Sequence, residues 1–201
     1  MNAQLFGEVF ITLFVIMDPP GTVPVFLSLA SGRSPTLRRR MAWQAVLVAF
    51  VVIVAFALFG QQILDYLGIT LPALQGAGGL LLLLVALQLL TGTATDPEAT
   101  QNVNAALVPL GTPLLAGPGA IVATMVFVQR IDGNDDLLAV AAAIVAVHIV
   151  MWASLRYSVF ILRVLRDGGI TLVTRIAGLL LSAIAVQLVA DAVRAFVSGA
   201  G

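Results

Sequence analysis

The sequence predicts an all-α membrane protein of six transmembrane units, built as two inverted three-helix repeats in which the first and fourth helices are broken. Three observations lead there. Of 201 residues, 60% are hydrophobic and only 10% charged, whereas charged residues supply about a quarter of an ordinary soluble domain. Several charge-free runs reach the ~20 residues a helix needs to cross the hydrocarbon layer. Finally, a Pro-Gly interruption occurs in two apolar units at matching places. The formal net charge is zero, which leaves no basic footprint for nucleic acid. Cysteine is absent, excluding disulfides and thiolate chemistry.

The first unit runs from about Ala3 to Ala30 and is interrupted by "MDPPGTVP", Met17 to Pro24. It lacks a basic leader and an A-x-A cleavage site, so it reads as a retained helix. The second unit is roughly Met41 to Gly60 and the third roughly Pro72 to Thr91. A polar connector, "GTATDPEATQN", follows. The fourth unit, about Val103 to Val128, is interrupted by "GTPLLAGPGA". The fifth covers about Leu137 to Leu155 and the sixth about Ile170 to Val197.

Orientation rests on arginine, since lysine is absent. Arg33, Arg38, Arg39 and Arg40 follow the first unit, and Arg156, Arg163, Arg166 and Arg175 surround the connection between the fifth and sixth. The opposite side holds only Arg130 and Arg194. The asymmetry places both termini outside.

"GLLLLLVALQL" from Gly79 returns 99 residues later as "GLLLSAIAVQL" from Gly178, and Pro20-Gly21 is echoed 98 residues later by Pro118-Gly119. Two motifs at nearly one offset divide the chain into halves of about 1–95 and 100–201. Each half holds an odd number of crossings, so the second enters the membrane upside down. Inverted repeats with broken helices at corresponding places point to the midplane site of a secondary transporter.

Proline removes a backbone donor and clashes with the preceding turn, so the first helix should stop near Met17 or Asp18. Unwound backbone is tolerated in a membrane only where protein or a watery cavity covers it. A short helix then begins near Gly21 or Thr22, and another near Gly119. Their N-termini should converge, with amides and dipoles suited to a carboxylate. The residues expected to form the binding site are therefore Asp18, Pro20, Gly21 and Thr22 with Gly117, Pro118 and Gly119. Asp18 caps the second short helix, or binds an amine, a sodium ion or a proton; one role does not exclude the other. Ordinary helix kinks would explain one Pro-Gly pair, and their duplication favours a site.

Gln88 and Gln187 hold equivalent places on the third and sixth helices. They read as hydrogen-bonding glue between helices or as lining of the path. His148, alone in the apolar fifth helix, is a packing histidine or, on the sharper reading, a proton relay. No second histidine or acidic cluster accompanies it, which speaks against a metal site. Glu8 sits in an outer vestibule or at the interface, and Asp191 and Arg194 are spaced to pair. Trp43 and Trp152 read as interfacial or packing aromatics.

"FVIMDPPGTVPVFLSL", "PLLAGPGAI" and "RIAGLLLSAIAVQLVADAV", in this order along the chain, resemble the MarC family of integral membrane proteins, once associated with multiple antibiotic resistance. Many members carry Asn at the place of Asp18, while others share Asp-Pro. Pro20 and Thr22 stand where the commoner pattern has Leu or Ile and Asn. The resemblance implies a multi-pass transporter of the cytoplasmic membrane, with small neutral amino acids such as glycine and alanine as expected solutes. The combined expectation is a secondary transporter of a small zwitterionic solute, driven by a proton or sodium gradient through Asp18 or His148. No cofactor is expected. The partners are the solute and the lipid bilayer, and homo-oligomers are allowed. Alternatives are an exporter of another small metabolite or drug, or an intramembrane enzyme or accessory protein. Against an enzyme, no paired carboxylates, H-E-x-x-H or nucleophile elbow occurs.

Overall fold

In a computed structural model describing residues 1–92 and 115–198, the chain forms α1 (Ala3–Met17), α2 (Pro19–Leu29), α3 (Pro35–Leu67), α4 (Leu71–Thr91), α5 (Pro118–Val128), α6 (Asn134–Arg156) and α7 (Ser158–Val197). No strand occurs among the described residues. The polar connector beyond Gly92 and the start expected near Val103 for the fourth unit lie outside them; α5 is the described helix within the expected bounds of that unit. Among the described residues, five stretches are long and apolar enough to cross a membrane: α1 with α2, then α3, α4, α6, and Gly168–Val197 of α7. Large apolar side chains such as Leu58, Leu84 and Leu179 face outward, as suits helices bathed in lipid.

The ends of the helices differ from expectation where caps override hydropathy. α3 begins at Pro35 rather than near Met41, because the Ser34 side chain accepts from the Leu37 amide and Pro35 takes the first helical position. It also continues past Gly60 to Leu67, giving 33 residues. At ~1.5 Å per residue this exceeds a ~30 Å hydrocarbon core, so its ends reach beyond it. α6 begins at Asn134, and α7 is interrupted at Arg166, whose φ of 53° and ψ of 175° are not helical.

Asp18 is the break. Its φ of 41° lies in the left-handed region, which Asp tolerates better than most residues. The local hydrogen bonds are then redistributed. Pro19 and Pro20 bring no N–H, and the Gly21 amide donates to Asp18 Oδ1 at 3.2 Å. The buried Thr22 hydroxyl donates to the carbonyls of Met17, 3.2 Å away, and Asp18, 2.9 Å away. Two prolines therefore cost little here, since the first amides of a helix lack partners anyway. Gly21 is required sterically, because a Cβ at that position would overlap the Asp18 carboxylate.

Around this break the helices pack in a reciprocal pattern. α1 lies along α6, α2 against α7, α5 against α3 and α4, and α4 along α7. One core joins Val9, Leu13, Phe26, Ile53, Ala143 and Met151; a smaller one joins Val15, Leu82, Ala86, Leu181 and Ala185. At the second, Gly79 sits against α7, where an added Cβ would stand 2.8 Å from the Ala185 carbonyl oxygen. Gly178 sits against α4, where a Cβ would stand 3.2 Å from the Ala86 carbonyl oxygen. The two helices thus run antiparallel, each glycine facing the alanine of its neighbour. Close approach through small residues is how membrane helices gain contact when lipid is as apolar as the core.

The same spacing recurs in the helix ends. Pro118 and Val128 bound α5 99 residues after Pro19 and Leu29 bound α2. Asn134 follows Pro35, and Arg166 follows Leu67, by the same interval. The cap positions therefore match Asp18 with Gly117 and Pro19 with Pro118, one residue off the register suggested by the Pro-Gly pairs.

The stability outcomes that follow are all read as thermal unfolding in detergent. Gly178→Leu should destabilise by about 1–3 kcal/mol or more through overpacking. Gly7→Ala, where nothing lies within 4 Å of an added Cβ, should not destabilise. At the break, Gly21→Ala and Asp18→Ala should each lose about 0.5–2 kcal/mol of capping. Asp18→Asn, which retains an acceptor oxygen and tolerates positive φ, should unfold near the native midpoint.

Candidate functional site

The α1–α2 break opens onto a cavity of about 500 Å³, within the ~300–1,000 Å³ usual for ligand pockets. Three elements build it. The break contributes Met17, Asp18, Gly21 and Thr22; the last turns of α4 contribute Gln88 and Leu89; and α7 contributes Ile170, Thr171, Thr174 and Arg175. Ile16, Val85 and Leu89 supply apolar wall.

Asp18 is 7% exposed, and among the described residues its carboxylate accepts one hydrogen bond, from the Gly21 amide to Oδ1. No cation lies within ion-pairing distance of it among those residues, nor any carboxylate near Arg175. The cavity therefore presents an acid and a guanidinium that are not committed to one another. An intramembrane charge without a protein partner is expensive and marks function by default. A guanidinium offers a planar fork that matches a carboxylate. Such a cavity can hold a small ligand bearing both signs of charge.

The structure brings together some of the expected site residues and separates others. Asp18, Gly21, Thr22 and Gln88 line the cavity. Thr22 acts there as a brace, its hydroxyl being directed at Met17 and Asp18. Pro20 is half-buried beside it in the first turn of α2. Gly117, Pro118 and Gly119 form the start of α5 but are not among the residues lining this cavity. Gly119 packs on Leu82 of α4. Gln187 donates to Asp191 Oδ1 at 2.8 Å on the exposed face of α7, and Asp191 pairs with Arg194 at 3.9 Å. Glu8 accepts from Gln4 at 3.1 Å on α1.

His148 lies elsewhere. It packs edge-on against Phe50 at 5.1 Å, and its Nδ1 donates to the Ile144 carbonyl at 2.7 Å. It shares an apolar groove with Trp43 and Trp152, separate from the Asp18 cavity.

One expectation is corrected. The tip of α2 was expected to present free amides to an anion, but Pro19 and Pro20 have none and Asp18 occupies that of Gly21. What the break offers the cavity is a carboxylate. The cationic group beside it is Arg175, which sequence reasoning counted only as a topological charge. Its signal was the spacing of Thr171, Thr174 and Arg175 in "TLVTR", which puts all three on one helical face.

Comparison with known proteins agrees with the motifs. The family described as MarC family integral membrane protein matches residues 3–197. The chain is 38% identical over 202 residues to the UPF0056 membrane protein MJ1677 of Methanocaldococcus jannaschii, covering 96% of this chain and 98% of that one. It is 37% identical to a UPF0056 membrane protein of Aquifex aeolicus, covering 94% and 92%, and 30% identical to the UPF0056 membrane protein YhcE of Escherichia coli, covering 97% and 94%. No solved structure matches. The apolar spans, the broken first unit and a family match over nearly the whole length make this chain a member of the MarC family of integral membrane proteins.

Proposed function

We propose that this chain is a secondary transporter of a small zwitterionic solute, a neutral amino acid of the size of glycine or alanine. The observation that carries the reading is the shared cavity in which Asp18 and Arg175 have no ion-pair partner among the described residues. Arg175 holds the carboxylate and Asp18 holds the amine or the coupling proton or sodium ion. Gln88 adds a side chain with both a donor and an acceptor. The break at Asp18 is the flexible point of the alternating cycle. The role is transport rather than catalysis: Asp18 and His148, the two buried side chains with acid–base capacity among the described residues, line different cavities.

The architecture we infer is a duplication with the second half inverted, 1–95 and 100–201, six units in all. Its support is the constant 99-residue interval between helix ends and the exchange of contacts between Gly79 and Ala185, and between Gly178 and Ala86. We place the protein in the cytoplasmic membrane with both termini outside. Arg38, Arg39, Arg156 and Arg163 gather in one pocket, while the Met1 amine pairs with Asp135 at 2.7 Å. An excess of arginine at one end marks the cytoplasmic side.

Labelled glycine or alanine flux into reconstituted vesicles, with and without an imposed proton or sodium gradient, tests the reading. Saturable, gradient-stimulated flux is expected. Arg175→Gln should raise KM about tenfold or more, the usual scale for removing a hydrogen bond to a charged group. Asp18→Asn should keep the fold and lose the ion dependence. Absence of saturable flux of any small neutral amino acid would remove the substrate assignment, and unaltered ion dependence in Asp18→Asn would remove the coupling role.

A further inference from the structure

At the end of the molecule where α3 begins and α6 gives way to α7, a second cavity of about 240 Å³ is lined by Arg38, Arg39, Arg156 and Arg163. None of the four has a carboxylate within ion-pairing distance among the described residues. Four guanidinium groups around one small space repel one another, and the cost rises where low-dielectric protein replaces water. Two of them, Arg38 and Arg39, stand near the start of α3, where the helix dipole adds positive potential. Arg156 lies over the Tyr157 ring at 5.3 Å, a contact that uses the ring face and not its N–H donors for pairing. Such an arrangement is completed by an anion. Guanidinium groups bind phosphate oxygens through paired N–H bonds, and several in one pocket can surround a single phosphate.

The rest of the lining says where that anion comes from. Beside the arginines stand Tyr157 and Phe160, the latter 64% exposed. Arginines beside exposed aromatic surface in one pocket suit a molecule with a charged head and an apolar body. The site also lies at the ends of two apolar spans, α3 and α6, where headgroups meet water. Basic pockets between helices at this depth bind acidic lipid heads.

The 99-residue interval supplies a contrast. The places equivalent to Arg38 and Arg39 are Leu137 and Leu138, and those equivalent to Arg156 and Arg163 are Ala57 and Leu64. The arginine pocket is thus particular to one end of the fold.

We propose that this pocket binds the phosphate head of an anionic glycerophospholipid from the adjoining leaflet. The site is distinct from the Asp18 cavity, and the binding does not depend on what is transported.

The test uses the full chain, delipidated in neutral detergent and titrated with phosphatidylglycerol, phosphatidylcholine or free glycerol phosphate. Bound lipid is counted by native mass spectrometry and stability read as the thermal midpoint. Phosphatidylglycerol should bind and raise the midpoint, while the other two should not. The combined variant Arg38→Gln, Arg156→Gln, Arg163→Gln should weaken phosphatidylglycerol binding by roughly 100-fold, from about fivefold per arginine near the surface. Arg33→Gln, at the same end but outside the pocket, should bind as the native chain does. Should the combined variant fail to fold, Arg163→Gln alone, on an exposed side chain, should still lose about fivefold. Equal binding of phosphatidylcholine, an equal effect of free glycerol phosphate, or undiminished binding by the folded variants overturns the proposal.

Discussion

The carboxylate of Asp18 holds the structure's central irregularity together. In a membrane interior, a helix cannot simply stop, because every exposed amide and carbonyl must find a partner without water. Here Pro19 and Pro20 remove two amides, Asp18 takes the third, and Thr22 covers the carbonyls of Met17 and Asp18. The result is a break with little unsatisfied backbone. Without that cap, the chain would have to continue as helix or leave polar groups in an apolar surround.

The break positions the chemistry. Because α1 and α2 are separate helices, α2 is free to lie against α7 while α1 follows α6. That divergence leaves the cavity between the break, the end of α4 and the middle of α7. The close seam of α4 on α7, made possible by Gly79 and Gly178, brings Gln88 and Arg175 to the same space as Asp18. Packing, rather than any one motif, thus puts a capping residue on the wall of a cavity. The smaller arginine pocket arises from the same architecture, where α3 begins and α6 ends.

Much of this was legible in the sequence. The apolar spans, the break at "MDPPGTVP", the arginine asymmetry and the 99-residue echo all follow from composition and spacing. The start of α3 was missed because hydropathy ignores caps, although "SPTL" announces one through Ser34 and Pro35. The closed tip of α2 was legible in principle, since two prolines and an aspartate leave no amide over. The lateral order of the helices was not. Periodicity tells which face of a helix is apolar, but in a membrane nearly every face is, so it could not show that His148 points into a groove with Trp43 and Trp152. Nor could it show that Arg175 belongs with Asp18.

The most direct test of the central claim, that the cavity beside Asp18 is where a small zwitterion binds, uses the absence of cysteine from the chain. Thr174→Cys places a single thiol on the cavity wall, and its rate of reaction with a water-soluble maleimide can be followed with and without amino acids. The account expects labelling that glycine or alanine slows in a saturable way, with the protection lost when Arg175 is also changed to Gln. Labelling at the same rate whatever small amino acid is present, or protection that survives the loss of Arg175, would contradict it.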